Sequence, residues 1–281
     1  MSTIVFLAVI FAAFIHSVWN GMIKKQNDKY IALAALVLGH VPLSLVVIII
    51  TPMISLESIP YIFISSIFLA GYEWCLLSAY RLEDYTKVYP VARGSAPIFI
   101  VIISLLFFSI NISKFELVGI VTISLGIIIL SFQTFKNIQN YSALFYALAA
   151  GFFTSCYSIT DGFGGRASYS PLNYTAWLMI LNGTIAFPLL LFIMKKNEAL
   201  KEIFVKGKKI FLIGGPLSFT AYAIVVWAFT HSPVPLVSAL RETSIIFALL
   251  IGTFFLKEKL TLIKIISILT IFTGATLLKL F

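Results

Sequence analysis

The chain has 281 residues, of which 60% are hydrophobic and only 11% are charged, and its formal net charge is +9. A soluble domain usually carries about 25% charged residues, so a globule of this size could not cover its surface with so few. The composition therefore excludes most soluble enzymes and predicts an integral membrane protein. In such a protein, excess lysine and arginine are expected in cytoplasmic loops and do not indicate nucleic-acid binding.

Ten apolar segments follow one another along the chain, each about as long as a membrane-spanning helix. They are predicted at Ile4–Ile23, Ile31–Thr51, Tyr61–Tyr80, Val88–Ser109, Phe115–Phe132, Tyr141–Thr160, Leu172–Met194, Ile210–Thr230, Leu236–Leu256 and Leu262–Leu280. The first has no basic region before it and no small-residue cleavage site, so we expect a retained span and not a signal peptide. The predicted fold class is all-α, with ten transmembrane helices.

Most of the loop cations lie on one side of these spans. The connections after the odd-numbered spans carry Lys24, Lys25, Lys29, Arg81, Lys87, Lys136, Lys195, Lys196, Lys201, Lys206, Lys208, Lys209, Lys257 and Lys259. The opposite side has Lys114, Arg166 and Lys279. The positive-inside rule then predicts a bacterial-type inner membrane protein with the first group in the cytoplasm and both termini outside.

The two halves of the chain resemble each other in residues that keep the same order in both. The segment Val91–Ser95 aligns with Ala239–Thr243, which matches Arg93 with Arg241. The same spacing pairs Phe99 with Phe247, Phe107 with Phe255, Ser113 with Thr261 and Gly126 with Gly274, and a different spacing pairs Tyr30 with Tyr174 and Gly39 with Gly183. Residues 1–136 and 137–281 are therefore predicted to be five-helix repeats of one membrane domain. An odd number of spans inverts the second repeat, a plan typical of secondary transporters.

Two stretches carry a resemblance to a known family. They are Phe14–Asn20 with Lys24 in the first span, and Asp161–Arg166 followed by Tyr174–Trp177 around the seventh. With the five-plus-five layout they resemble the EamA-type carriers of the drug/metabolite transporter superfamily, over essentially the whole chain. The resemblance implies a carrier for amino acids, nucleobases, sugars, cationic drugs or other metabolites, and some relatives of this branch are associated with phosphonate use.

That family commonly has a glutamate closing both the fourth and the ninth spans. Glu258 fits the second of these positions, whereas Ser109, Ile110 and Asn111 stand at the first. The resemblance therefore does not imply a symmetric role for this glutamate.

Ionisable side chains inside a span cost about 2.5–3.5 kcal/mol each and need a partner or a water-filled cavity. Here they are His16, His40, Glu73, Arg93, Asp161, Arg241 and Glu242. Arg93 and Arg241 begin spans that enter from opposite sides, so we expect their guanidiniums toward opposite faces, as gate anchors or anion-attracting groups. Snorkelling to lipid phosphate is the alternative.

Two carboxylates have predicted partners. Glu242 is expected to pair with another helix, because neighbours such as Arg241 and Glu242 point about 100° apart on a helix. Glu73 is the deepest carboxylate and the candidate coupling residue. It could carry a proton, bind a cationic substrate or act as the counter-ion of Arg93.

Aromatic and polar side chains provide the candidate substrate site. His16, Trp19 and Asn20 share one face of the first span. They would line a cavity that also holds Arg93, Arg241, Glu242, Trp74, Tyr80, Tyr157 and Tyr222. Such a mixture suits a small amphipathic or cationic metabolite. The alternative is a tight helix interface with an interfacial aromatic belt.

Gly162–Gly165 is predicted to be a flexible external turn, with Asp161 and Arg166 pairing beside it. A nucleotide-binding loop is disfavoured, because no strand precedes it and no Lys-Ser/Thr follows. Pro90 and Pro235 stand at spans that carry the matched arginines and are the candidate hinges.

These features favour a secondary transporter that moves a small polar or amphipathic metabolite by alternating access, driven by a proton or substrate gradient. The arginines favour an anion and Glu73 with the aromatics a cation, so an amino-acid-like zwitterion is preferred over an organic anion such as a phosphonate. A channel or scaffold is the alternative, and an intramembrane enzyme would have only His16 and Glu73 as loose candidates.

We expect no enzymatic activity, cofactor or metal. Cys75 and Cys156 have no metal-ligand spacing and are expected to be small core residues. The expected partners are the small-molecule substrate and the lipid bilayer, without nucleic acid. Monomer and homodimer are both open.

Overall fold

The computed structural model describes residues 1–83, 85–108, 110, 112–135, 140–194, 199–257 and 259–280. Within these ranges the chain is helical and has no strand, which confirms the all-α membrane class. The helices are α1 (Thr3–Lys25), α2 (Lys29–Ile50), α3 (Ile59–Leu82), α4 (Tyr85–Phe107), α5 (Lys114–Phe135), α6 (Tyr141–Ala167), α7 (Pro171–Met194), α8 (Ala199–Lys206), α9 (Gly215–His231), α10 (Val234–Arg241), α11 (Ser244–Leu256) and α12 (Leu262–Leu280). A 3-10 turn, Leu56–Ser58, precedes α3, and a π-helical stretch, Ile210–Gly214, leads into α9.

Eight helical segments in the described ranges are long and apolar enough to cross a membrane. They are Thr3–Lys25, Lys29–Ile50, Leu56–Leu82, Lys87–Phe107, Tyr141–Ala167, Ile210–His231, Val234–Phe254 and Leu262–Leu280. The other two predicted spans fall on α5 and α7, which are not among the eight, so the count of ten remains a prediction. Lys136, Lys195, Lys196, Ser109, Asn111 and Glu258 lie outside the described residues.

The packing order of the helices relates the two halves. α3 packs against α6 and α1 packs against α9, while α5 contacts α12 and α2 contacts α7. An exchange of the predicted repeats would convert the first pair into the second and each of the last two pairs into itself. This pattern is what an inverted repeat predicts, although the repeat and its boundary at residue 136 remain predictions.

Connections predicted to be cytoplasmic meet at one end of the bundle. Gln26, after α1, donates its side-chain amide to the Lys206 carbonyl at the end of α8. Arg81, at the end of α3, donates from Nε to the Tyr30 hydroxyl over 3.0 Å. Three cation-bearing connections therefore lie together.

Connections on the predicted external side meet at the other end. Ser55 donates its hydroxyl to the Ala167 carbonyl over 2.5 Å, and Arg166 donates to the Ser232 carbonyl over 3.1 Å. Most loop lysines of the described chain thus belong to the connections at the first end, and Lys114 and Lys279 belong to the second. Which end faces the cytoplasm stays a prediction.

Glycines allow α5 and α12 to approach closely. A Cβ atom added at Gly126 would lie 2.6 Å from Cγ1 of Ile271, and one added at Gly274 would lie 2.7 Å from Cγ1 of Ile123. Small residues at helix crossings are a common means of close packing in membranes, where dispersion contacts replace much of the hydrophobic effect. The matched glycines therefore belong to one helix crossing.

The matched arginines stand on helices of different form. α4 is continuous through Arg93, although it contains Pro90 and Pro97. In the second half, α10 ends at Arg241 and α11 begins at Ser244. Pro235 lies in the first turn of α10, where a missing N–H leaves no helical bond unmade. Hinge roles for Pro90 and Pro235 remain predictions.

Candidate functional site

A central cavity of about 120 Å³ lies between the helices. It is lined by Ala12, His16, Trp19, Leu33, Leu36, Val37, His40, Leu69, Tyr72, Glu73, Leu76, Arg93, Tyr157, Met179, Asn182, Ser218, Ala221, Tyr222, Val225 and Arg241. A water molecule takes about 30 Å³ in the liquid, so the space is large enough for a few water molecules or one small metabolite. α1, α2, α3, α4, α6, α7, α9 and α10 all contribute to its wall.

Two arginines share one carboxylate beside the cavity. Arg93 Nε lies 3.0 Å from Glu242 Oε2, and Arg241 Nε lies 3.8 Å from Glu242 Oε1. Glu242 is fully buried, and the arginines are only 5% and 4% exposed. The helix break between α10 and α11 places Glu242 in a turn, from which its carboxylate reaches α4. The cluster carries a net positive charge, and both guanidiniums also line the cavity.

This geometry corrects one expectation and supports another. The guanidiniums do not lie toward opposite faces, because both are within 4 Å of the same carboxylate. The expectation failed because Arg93 lies well inside α4, which begins at Tyr85, and not at the start of the span. Pairing of Glu242 across to another helix is confirmed by its contact with Arg93.

Glu73 occupies a different part of the cavity wall. Its Oε1 accepts a hydrogen bond from Asn182 Nδ2 over 3.1 Å, linking α3 to α7. Its Oε2 has no hydrogen-bond partner among the residues that the structure describes, and neither has Oδ1 of Asn182. Glu73 is thus not the counter-ion of Arg93, because Glu242 has that role. A buried carboxylate oxygen without a partner is costly and is a ready acceptor for a cationic group or a proton.

The polar face predicted on the first span is present on α1. The rings of His16 and Trp19 form an edge contact with centroids 4.6 Å apart, and both line the cavity. His16 Nε2 and Trp19 Nε1 are buried without a hydrogen-bond partner in the described part of the chain. Asn20 instead donates to the His16 carbonyl over 2.9 Å and is not among the lining residues.

The other predicted aromatics divide into two groups. Tyr157 and Tyr222 line the cavity, and their rings meet edge to face at 6.1 Å. Trp74 is 45% exposed and packs on Tyr146 with ring centroids 5.7 Å apart, outside the cavity lining. Tyr80 also lies outside the lining, packed against one apolar cluster formed mainly by α1, α2, α3 and α7 and another formed by α3, α4 and α6. Binding roles for all of these residues remain predictions.

The glycine-rich segment is helical and buried, which corrects the prediction of a flexible external turn. Gly162–Gly165 lies within α6, and Arg166 donates to the Ser232 carbonyl and not to Asp161. Asp161 is fully buried and accepts hydrogen bonds from the hydroxyls of Tyr174, over 2.9 Å, and Tyr222. Glycine was interpreted as a turn signal, whereas in a membrane bundle it allows close helix packing.

Sequence reasoning missed Asn182 and Tyr174 as partners of buried carboxylates. Asn182 is an ordinary polar residue of an apolar segment, and Tyr174 stands out only through its match with Tyr30 and its place in the stretch Tyr174–Trp177. An asparagine in the middle of a span was the signal that could have indicated the first, since such side chains hydrogen-bond across helices. Among the described residues, no group of three His, Cys, Asp or Glu side chains could hold a metal ion, and Cys75 and Cys156 are free thiols.

Comparisons with known proteins agree with this architecture. Residues 141–280 match the EamA-like transporter family, which confirms the resemblance for the second half of the chain, where Asp161–Arg166 and Tyr174–Trp177 lie. An uncharacterized transporter of Archaeoglobus fulgidus is 27% identical over 146 residues, which are 52% of this chain and 51% of that protein. The chain thus spans about half the length of this curated relative.

A solved crystal structure of another protein shares the fold. It aligns with 100% of this chain and 99% of its own at a TM-score of 0.77 and 14% identity. At that identity the likeness concerns the fold alone, and it extends the architecture to both halves of the chain.

Proposed function

We propose that this protein is a carrier that moves a small zwitterionic metabolite across a bacterial-type inner membrane through the central cavity. It would work by alternating access, driven by a proton or substrate gradient, with both termini on the external side. The match to the EamA-like transporter family and the named transporter relative support the carrier class. The substrate class rests on the two charged regions of the cavity wall.

A single observation supports the zwitterion most strongly. The cavity wall holds the guanidiniums of Arg93 and Arg241, which share one carboxylate, and the Glu73 carboxylate, which has no cationic partner in the described chain. The positive cluster suits a substrate carboxylate, since guanidinium pairs well with carboxylate oxygens. Glu73 suits an ammonium group. The small volume suits a substrate of about the size of an amino acid.

The coupling role predicted for Glu73 is an alternative for the same side chain. A carboxylate that holds a substrate ammonium must be ionised, whereas one that couples transport to protons is neutral in one state. An organic anion such as a phosphonate is the second candidate substrate, favoured by the excess positive charge of the arginine cluster. For such an anion, Glu73 would be a proton site.

Thermal stability of the purified protein against anionic, zwitterionic and cationic metabolite panels tests the substrate class. A ligand that binds only the folded protein adds about 2.7 kcal/mol of stability at a hundred times its dissociation constant. We expect a shift with zwitterions that is lost in both R241A and E73Q. A rise in thermal stability with anions that is retained in E73Q would show that the substrate is an anion and not a zwitterion.

Transport by proteoliposomes tests the carrier itself. We expect saturable counterflow of the bound ligand, abolished in R241A, which stays folded because Glu242 keeps Arg93. The control is W74F, outside the cavity, which should transport at the wild-type rate. Wild-type transport by R241A would remove that arginine from the site, and flux without saturable counterflow would indicate a channel.

A further inference from the structure

Asp161 is a buried carboxylate that the proposed substrate site does not use. It is fully buried on α6, and its two oxygens accept from two different helices: Oδ1 from the Tyr174 hydroxyl of α7 over 2.9 Å, and Oδ2 from the Tyr222 hydroxyl of α9. Arg241 of α10 acts on it electrostatically, and α3 contributes the neutral side chain of Ser65. Arg241 itself lies beside Glu242.

The hydroxyls of Tyr174 and Tyr222 differ in their position relative to the cavity. Tyr222 is part of the cavity wall, whereas Tyr174 is fully buried and is not. Tyr222 also meets Tyr157, another lining residue, edge to face. A change in the hydrogen bond between Asp161 and Tyr222 therefore changes the hydroxyl group that a molecule in the cavity meets. The hydrogen bond from Tyr174 only holds the carboxylate in place.

Glycines build the space for this cluster. A Cβ atom at Gly164, one turn after Asp161, would collide with the Tyr174 ring and hydroxyl, and one at Gly162 would collide with Val234 of α10. The glycine-rich segment singled out in the sequence thus lets α7 and α10 approach α6 around Asp161.

The buried charges leave one carboxylate in excess. In the described ranges the buried side chains include the guanidiniums of Arg93 and Arg241 and the carboxylates of Glu73, Asp161 and Glu242. Net charge inside a membrane protein is costly, so one carboxylate is expected to take up a proton or a cation. Glu242 is held by the arginines, and Glu73 faces the proposed substrate ammonium. Asp161 is the remaining carboxylate.

We propose that Asp161 is a proton-binding site and that Tyr222 couples its proton to the substrate. When Asp161 is ionised, the Tyr222 hydroxyl donates to it. When a proton from the aqueous phase forms an O–H bond on Oδ2, that oxygen becomes the donor and Tyr222 the acceptor. The phenolic hydrogen of Tyr222 then turns toward the cavity, where it binds an acceptor such as a substrate carboxylate. Release to the other side reverses these steps, and the same proton leaves to water.

This inference rests on the proposed function for its ligand, but its first test needs no ligand. Infrared difference spectra of the purified protein between acidic and neutral pH should show the band of a protonated carboxyl group that is absent in D161N. The band should be perturbed in Y222F and should persist in E73Q. If D161N retains every carboxyl band of the wild type, Asp161 binds no proton and the proposal is overturned.

The second test measures proton uptake with a pH indicator in weak buffer when an equimolar mixture of neutral L-amino acids is added. Uptake should be present in the wild type, lost in D161N and Y222F, and retained in Y174F. Y174F is the matched control, because it removes one hydroxyl from the same carboxylate without changing the cavity wall. Equal loss in Y222F and Y174F would make the cluster structural and overturn the relay, and this pair decides the matter if D161N does not fold.

The two proposals fail in different ways. Stabilisation by the amino acids without proton uptake in the wild type would keep the carrier and overturn the role of Asp161. If the mixture gives no stabilisation, the amino-acid substrate class is wrong, and the infrared band of Asp161 decides the proton site by itself.

Discussion

Two matched pairs of residues behave differently in this molecule. At the crossing of α5 and α12 the contact is reciprocal, since Gly126 faces Ile271 and Gly274 faces Ile123 at nearly equal distances. The sequence spacing that matches the two glycines also matches the two isoleucines. Each half therefore makes the same contact with the other, as a two-fold related repeat predicts.

Arg93 and Arg241, matched by the same spacing, are not treated alike. Arg93 is on a continuous helix, whereas Arg241 ends α10. The residue after Arg93 is Gly94, packed on Ile127, and the residue after Arg241 is Glu242, which binds both arginines. Helix crossings tolerate symmetry because both partners need only small residues. A binding cavity with two charged regions requires the halves to differ.

Removal of the shared carboxylate should have the largest effect. E242Q leaves two buried guanidiniums without the carboxylate that pairs them, and breaking a buried ion pair costs about 3–5 kcal/mol. We expect a loss of that order in thermal or denaturant unfolding in detergent micelles. The double variant R93Q/E242Q should recover part of it. Additive effects of the two changes would show that the contact contributes no coupling energy.

Unequal loss from the two arginines is the next effect. R93Q removes the closer ion contact, at 3.0 Å, and should cost up to about 3 kcal/mol, the low end for breaking a buried ion pair. R241Q removes a contact at 3.8 Å and should cost less. The two variants are matched in chemistry and serve as each other's control in the same unfolding measurement. Equal losses of unfolding free energy in R93Q and R241Q would show that the two arginines contribute equally, contrary to their unequal distances from Glu242.

Alanine at the matched glycines tests the close crossing of α5 and α12. G126A and G274A each force a methyl group into the same crossing, and overpacking costs about 1–3 kcal/mol. G274A should cost more than G126A, because a Cβ atom at Gly274 would also lie 2.8 Å from the Gly119 carbonyl oxygen, whereas the nearest backbone atom to one at Gly126 is 3.1 Å away. G183A is the control, because a Cβ atom there would lie 3.7 Å from its nearest neighbour, an ordinary contact. A loss in G183A as large as in G126A would contradict the close crossing.

The fold class could be predicted from the sequence because long apolar segments leave few structural alternatives. Local patterns were less reliable at segment ends. α6 continues to Ala167, seven residues beyond the predicted end at Thr160. The prediction placed the end too early because glycine usually indicates a turn. The break at Glu242 was missed as well, since no proline or glycine marks it.

The site could be predicted in kind but not in arrangement. Charged side chains such as Arg93 and Glu73, which are costly to bury in a membrane, are easily recognised in an apolar sequence, and both line the cavity. Which carboxylate faces which guanidinium depends on helix rotation and depth, which hydropathy does not encode. Trp74 shows the same limit: its residue type suits a cavity as well as an outer surface, and packing places it outside.

The shared Glu242 also has a consequence for assembly. Arg93 belongs to the first part of the chain and its carboxylate to the second, so a first half inserted alone would hold a buried cation without its anion. A copy of that half binding to itself would double the mismatch. We therefore expect the ion pair to favour the correct pairing of halves during biogenesis and to penalise premature or swapped association, a form of selection against wrong partners.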